Sequence, residues 1–419
     1  MRKQTRSEGE AMSAVLRTHE LATTRPQRPS EIYHKQRTDP SSLPTVADRV
    51  LILVFLSAIT LPLFGLVMRL DTGLTLDENR VLASMPAVNL KRATLAKLPA
   101  KFERYFNDRF GFRQRLIQWL NFVKVAGLGV SPSPRVVLGQ DRWLFYGDIE
   151  VPYYRALNEL TSRELEQWQH VFEDRRDWLA ARGVPYLIVF APNKSTIYAD
   201  HMPRSYNPVH TQSRLGQLMD HLKSHTNLNV IDLSAPLFAA KTREQVYYRT
   251  DSHWNQRGAY IGYSRTIEAL SAWFPQLKAV PRAEFREIKY VEPGRDLAMM
   301  LGLRPYFAEE YFDVETPKPR LARTVPQSEE VAKSPGRLST SGADIVYESP
   351  GKELPRAVMF RDSFATSLIP FLVDHFQRIT FSWQYTFDRE LVAKEHPDVV
   401  IQEMVERTLM APPDVFLTR

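Results

Sequence analysis

Two short segments hold the residue types from which acyl-transfer chemistry is built. YYRTDSHWN, Tyr247 to Asn255, sets Asp251 and His253 one residue apart. In a strand or extended loop, positions i and i+2 point the same way, so carboxylate and imidazole can serve one site. A carboxylate that accepts the imidazole Nδ1 proton fixes the tautomer and stabilises the imidazolium, the orienter and base of a triad. AVMFRDSFATSLIPFL, Ala357 to Leu372, supplies a nucleophile: an apolar strand ends at Phe360, Ser363 follows within three residues, and a helix is expected from about Ala365 to Phe376. The hydroxyl would stand at the carboxyl end of a parallel strand and at a helix N-terminus, where free N–H groups and the helix dipole favour an oxyanion. Plainer readings exist: Asp-x-His pairs are common, and Asp362 or Ser363 could be only an N-cap.

Other chemistries are less well provided for. Asp251 and His253 could ligate a metal, but no third ligand of suitable spacing is evident, and none is expected. His221 and His225 have the i, i+4 spacing of zinc ligands, yet no Glu stands beside the first as in HExxH, so they read as surface residues. The chain has no cysteine, which excludes disulfides, thiolate metal sites and thiol catalysis. It has no phosphate-binding glycine loop. Tyr247, Tyr248, Trp254, Trp383 and Tyr385 lie near the two segments; most aromatics are core, and Trp254 is the candidate for carbohydrate stacking.

These segments need elements to carry them. Thr161 with Glu164 reads as a capping box opening a helix with Leu165, Trp168, Phe172 and Leu179 on one face, and Gly183 ends it. Tyr186–Phe190 is an all-apolar run typical of a strand buried on both faces. A helix near Gln212–His225, a strand at Leu228–Leu233, a helix near Arg257–Phe274, then strands at Ala357–Phe360, Arg378–Trp383 and Asp398–Gln402 continue the alternation. Strands alternating with helices imply an α/β fold with a mainly parallel sheet and helices on both faces. Residues 303–352, with six prolines, read as a surface insertion between two strands of a domain spanning 136–419. Residues 70–135, with a helix expected at Arg113–Val125, read as a helical stalk or collar.

Val50–Met68 is nineteen residues without a charge, bounded by Arg49 and Arg69. At ~1.5 Å per residue it nearly crosses a ~30 Å hydrocarbon core. Residues 1–49 carry nine Lys/Arg against six acids, and Asp71, Asp77 and Glu78 follow the span, so the positive-inside bias places the N-terminus in the cytoplasm and the rest outside. The long tail and the absence of a small-x-small site favour a single-pass signal anchor (50–69) over a cleaved signal peptide. Residues 1–49 read as a disordered cytoplasmic tail. The net charge of +7 would permit an anionic partner, though diffuse surface basicity gives the same number.

Five motifs in one order, NDRFGFR (Asn107–Arg113), APNKSTIY (Ala191–Tyr198), DSHW (Asp251–Trp254), RDSF (Arg361–Phe364) and DVVIQEMVER (Asp398–Arg407), resemble the bacterial alginate O-acetyltransferase proteins AlgJ and AlgX, of the DHHW group of SGNH-hydrolase-like enzymes. The resemblance spans roughly residues 76–407. It implies a flavodoxin-like SGNH fold, Ser363 as nucleophile with His253 and Asp251, and acetylation of an exported, alginate-like polysaccharide in the periplasm at the inner membrane. No cofactor is implied; a multi-pass membrane O-acyltransferase would deliver the acetyl group, and no nucleic acid is involved. An acetyl esterase with the same triad, or a non-catalytic scaffold of an export complex, are the alternatives. Two positions depart from the pattern. Ser252 stands where the group's name has a second His, and on an extended strand it should point away from the pair. Arg361 stands where a general SGNH elbow has Gly; it would crowd the elbow, or contact an acidic sugar or the acetyl oxygen. The oxyanion donors expected are the Ser363 N–H and Asn193, unless Asn193 is a plain turn residue.

Overall fold

Seven strands, ordered β4-β3-β11-β9-β10-β8-β7, make the central sheet: β3 (Tyr186–Ala191), β4 (Asn229–Asp232), β7 (Arg323–Val325), β8 (Ile345–Glu348), β9 (Arg356–Arg361), β10 (Arg378–Trp383) and β11 (Val399–Val405). The five from β4 to β10 are parallel; β8 pairs antiparallel with β10, and β7 with β8, so the sheet is mixed. The computed structural model describes residues 45–68, 81–87, 96–315, 321–325, 344–350 and 353–416. Most of the expected tail, parts of the collar and much of the Pro-rich segment lie outside them. Two compact units divide the chain, one up to Thr60 and one from Leu61.

The apolar strand runs explain the layering. Side chains alternate across a strand. Leu187, Val189, Met359, Ile379 and Ile401 join one core with α6 (Ser234–Lys241) and α7 (Gln256–Leu270), while Tyr186, Ile188, Phe190, Val358, Phe360 and Val400 join another with α4 (Ser162–Ala180) and α5 (Arg214–His225). Burying a side chain such as Phe172 on α4 contributes roughly 2–3 kcal/mol. The Thr161/Glu164 capping box is formed, and Gly183 supports a left-handed turn (φ +71°) after α4. Asn255 caps α7 through the N–H groups of Arg257 and Gly258.

Two expectations need correction. The 303–352 segment is not wholly a surface excursion: β6 (Glu309–Glu315) pairs with β5 (Arg286–Glu292), and β7 and β8 extend the main sheet. Its described prolines, Pro305 and Pro350, fall between strands, where no ladder N–H is needed. The helix expected over 365–376 is a 3₁₀ turn, one α-turn at Ile369–Leu372 and another 3₁₀ turn, because Pro370 lacks the N–H that a continuous helix would use.

Before the sheet, α1 (Val46–Val67) is by length and composition apolar enough to cross a membrane. α2 (Leu98–Arg109) and α3 (Arg113–Phe122), the latter continued by a π-turn to Gly127, lie in the segment expected to be a stalk or collar. A β1–β2 hairpin (Val136–Leu138, Leu144–Tyr146) follows, and α8 (Asp296–Met300) and α9 (Arg389–Glu395) complete the elements used below.

Candidate active site

The site lies past the carboxyl ends of β3, β9 and β11, the edge where open α/β sheets place their crevices. Asn193 follows β3, Ser363 follows β9, and Glu406 and Arg407 follow β11. His253 and Asp251 come from the turn before α7.

That turn is not a strand. Residues 249–253 bend, and Asp251 Oδ1 accepts both the backbone N–H of His253 (3.0 Å) and its Nδ1 (2.7 Å). An Asx turn, not extended alternation, therefore brings the pair together. Lys194 fixes it from beneath: its buried Nζ donates to the carbonyls of Tyr248, Arg249 and Asp251 (3.3, 3.1 and 2.6 Å). Burial lowers the Lys194 ammonium to about 8 against the opposing pull of Glu150, Asp296 and Asp251. Glu309 accepts the N–H groups of Arg249 and Thr250 (2.8 and 2.9 Å).

His253 Nε2 lies 2.7 Å from Ser363 Oγ. Burial disfavours the imidazolium, but the hydrogen bond and charge of Asp251, with Asp296 adding to them, raise its pKa above the ordinary histidine value. Asp251 is held below the usual carboxylate range: burial would raise it, and the His253 bonds outweigh that. An ionised Asp251 only accepts, so Nδ1 carries the proton and Nε2 is free to accept from the Ser363 hydroxyl.

The elbow is braced by a second Asx turn. Asp362 Oδ1 accepts the Phe364 N–H (2.7 Å), and Oδ2 accepts Tyr385 Oη (2.9 Å) and the Val405 N–H (2.7 Å). The Asp362 N–H donates to Glu403, a carboxyl pushed well up by burial and by the charge of Asp362. Asp362, not Ser363, caps the following turn.

Asn193 is fully buried. Its backbone N–H donates to Glu406 Oε1 (2.7 Å), its Oδ1 accepts from Arg407 Nη1 (2.8 Å), and its Nδ2 makes no hydrogen bond. The Arg407 guanidinium lies 5.3 Å from the Phe364 ring centroid, beside the elbow. Holding Oδ1 in this way orients the amide and leaves Nδ2 as a donor in want of an acceptor.

Three assignments are corrected. Trp254 is 1% exposed, donates Nε1–H to the Phe364 carbonyl (3.1 Å) and packs edge-on against the Phe364 ring, so it supports the elbow and offers no face to a sugar. Arg361 is 3% exposed, bonds the Asp362 carbonyl and Thr366 Oγ1 (3.0 and 2.8 Å), and lies over Trp383; it stiffens the elbow from inside and is out of reach of substrate. Ser252 does not point away: its Oγ lies 3.3 Å from His253 Nδ1 and bonds Asp296, because the turn is bent.

Asp296 is a partner that sequence reasoning missed. Its Oδ2 lies 3.9 Å from His253 Nδ1, and burial with the charge of Asp251 raises its pKa. With Asp251 and His253 it forms a group whose ligand atoms lie within 4.8 Å of one another, the third ligand that spacing did not reveal. Both His253 nitrogens are already engaged, Nδ1 by Asp251 and Nε2 by Ser363. In the sequence Asp296 is only an acid opening a short helix. Lys194 and Arg407, also missed, do lie inside the APNKSTIY and DVVIQEMVER motifs. His221 and His225 stack on α5, with His221 bonded to Gln169 and His225 to the His221 carbonyl.

Part of the chain, containing Asn193, Asp251, His253 and Asp296 but not Ser363, is similar to a known family. Residues 136–338 match the family described as "SGNH hydrolase-like domain, acetyltransferase AlgX". A probable alginate O-acetylase AlgJ of Pseudomonas putida is 31% identical over 185 residues, 42% of this chain and 44% of that protein. The AlgJ of Pseudomonas aeruginosa is 27% identical over 276 residues, 65% of each chain. The chain thus spans about half the length of several of the relatives it matches. Among solved structures, the O-acetyltransferase domain of Pseudomonas putida AlgJ aligns with a TM-score of 0.44 at 21% identity, covering 65% of this chain and 91% of that one. Bacillus cereus PatB1 aligns with a TM-score of 0.48 at 15% identity, covering 67% and 98%.

Proposed function

We propose, from the match of residues 136–338 to the SGNH hydrolase-like domain of acetyltransferase AlgX and the likeness to AlgJ proteins, that this chain transfers acetyl groups to hydroxyls of an exported polysaccharide through an acetyl-Ser363 intermediate. One observation carries the reading: the unbroken run from Asp251 Oδ1 through His253 to Ser363 Oγ, 2.7 Å at each step. His253 Nε2 takes the hydroxyl proton as Oγ attacks the acyl carbon, then returns it to the departing group of the donor. A sugar hydroxyl, deprotonated by the same nitrogen, attacks the acetyl-Ser, and the proton goes back to Ser363. Asp251 stabilises the imidazolium formed twice in the cycle. Asn193 Nδ2 and the Ser363 N–H are assigned to the oxyanion.

The apolar α1 and the cationic segment before it support a membrane anchor with the catalytic unit on the far side. Acetyl coenzyme A is not at hand there, so the donor is assigned to a multi-pass membrane acyltransferase.

Incubation with an acetyl donor and oligosaccharides, read by mass spectrometry, tests the reading. Acetylated sugar should form with the intact chain and be absent with Ser363→Ala and His253→Ala, and the trapped acetyl should sit on Ser363. Acetate release from a pre-acetylated oligosaccharide with no transfer to any acceptor would make the chain an esterase. Activity surviving Ser363→Ala would remove the triad from the chemistry altogether.

A further inference from the structure

The NDRFGFR motif takes no part in the site described above, yet the structure gives it a specific place. The Gly111 N–H donates to the carbonyl of Pro62 near the end of α1 (2.9 Å), and a Cβ on Gly111 would lie 2.5 Å from the Gly65 backbone. A Cβ on Gly65 would in turn lie 2.9 Å from the Phe112 ring, and Gly65 is the buried residue of α1. These contacts all lie within the unit that begins at Leu61. Two glycines thus allow backbone to touch backbone, and the α2–α3 junction is pinned to the last turns of α1.

The helix that leaves this junction has two unlike faces. Gln118, Asn121 and Val125 dock on the domain: Gln118 and Asn121 donate to the carbonyls of Gly302 and Leu301 (3.4 and 2.8 Å), and Val125 packs against the apolar cluster that includes Val136, Leu144 and Leu297. About 180° around the axis, at 100° per residue, stand Leu116, Trp119, Leu120 and, on the π-turn, Gly127. Trp119 is 65% exposed, and Leu116, Leu120 and Leu128 are exposed with it. Arg113, whose Nε donates to the Asn107 carbonyl (2.8 Å), and Lys124 lie along one side of this stripe. From Lys97 to Val130 there are seven Lys/Arg and two acids.

We propose that this stripe is seated in the head-group zone of the bilayer that α1 crosses, so that the occupant of the exposed apolar face is a membrane surface with anionic lipid. The proposal rests on the anchor reading of α1. The junction touches Pro62 and Gly65, six and three residues from Met68, the last uncharged residue of the apolar run, so it lies about 5–9 Å inside the outer end of the span. A helix starting at that depth, with Trp and Leu on one face and Lys/Arg beside them, matches the chemistry of an interfacial helix. Lys124 can extend to head groups while its stem lies on the acyl boundary. The seat bears on catalysis, because the docked face of α3 rests on the end of α8, and Asp296 at the start of α8 touches the Ser252–His253 turn. The triad is thereby held one short helix above the lipid, where a donor carried by a membrane protein can reach it.

The absence of cysteine permits a direct test with the full chain. Leu120→Cys, Arg115→Cys and Leu56→Cys are each labelled with an environment-sensitive fluorophore and reconstituted at one chain per nanodisc in phosphatidylcholine with phosphatidylglycerol. Lipid-borne quenchers should quench the label at position 120 severalfold and clearly more than that at 115, about 140° around α3, and iodide should give the reverse order. Adding Gly111→Ala to Leu120→Cys should shift the label toward water. If the label at 56 is deep in lipid while that at 120 stays open to iodide, the seat is overturned and the anchor stands. If 56 is itself in water, the anchor reading fails and the seat with it. Protection at 120 that appears only with two chains per disc, or only with a co-reconstituted acyltransferase, would assign the face to a protein and overturn the proposal.

Discussion

Replacing Glu406 by glutamine should change how stability depends on pH more than it changes stability itself. Glu406 is 1% exposed, and its Oε1 accepts the Asn193 N–H and Thr196 Oγ1 while Oε2 accepts Tyr153 Oη (2.8 Å). Burial outweighs these bonds and raises its carboxyl from 4.5 to about 7. A folded pKa above the unfolded one means that the folded chain binds the extra proton between these values. The contribution is fully present below pH 4.5, declines as pH rises, and is lost above about 7. The shift of 2.5 units (7 − 4.5) at 1.36 kcal/mol per unit corresponds to about 3 kcal/mol. Glutamine does not titrate, and its single carbonyl oxygen cannot accept from Asn193 and Thr196 at one end and from Tyr153 at the other, so at least one of these buried bonds is lost at a fixed cost of about 1–3 kcal/mol. Chemical denaturation of wild type and Glu406→Gln in detergent across pH 4.5 to 8 should therefore show the difference moving by about 3 kcal/mol in favour of the variant as pH rises. Curves that stay parallel over this range would show an ordinary carboxyl and refute the argument from burial.

Other consequences concern the reaction. Asp296 helps hold His253 protonated, and the base must be neutral, so Asp296→Asn should move the acid limb of the kcat/KM profile to lower pH; a fall in the plateau with an unmoved limb would mean a purely structural role. Asn193→Ala should lower kcat about 10²–10³-fold with little change in KM if Nδ2 serves the oxyanion, and a loss under about threefold would return Asn193 to the status of a turn residue. Trp254→Phe removes the Nε1–H bond to the Phe364 carbonyl but keeps the ring, so it should cost about 1 kcal/mol in thermal or chemical unfolding and leave the KM for any sugar acceptor unchanged; a weakened acceptor KM would contradict its burial.

Much of this was legible in the residues because it is local. The Thr161/Glu164 capping box, the two-sided burial of Tyr186–Ala191 and the strand-to-Ser363 turn all follow from periodicity and caps over a few positions. The spacing of Asp251 and His253 is informative, but an Asx turn, not an extended strand, joins them. What depends on distant partners was not legible. Ser363 reaches His253 only because β9 and the turn before α7 meet at one edge of the sheet, and Asp296 arrives there from 43 positions beyond His253. Nor could spacing distinguish a buried Arg361 or Trp254 from an exposed one, since both side chains combine apolar stems or rings with polar ends and suit either place. The Pro-rich segment conceals β7 and β8 because strands of three and four residues leave almost no periodic signal, and their place is set by long-range pairing, β8 on β10 and β7 on β8. Periodicity and caps act over one or two turns of chain, whereas burial and long-range pairing depend on which surfaces the whole fold brings together.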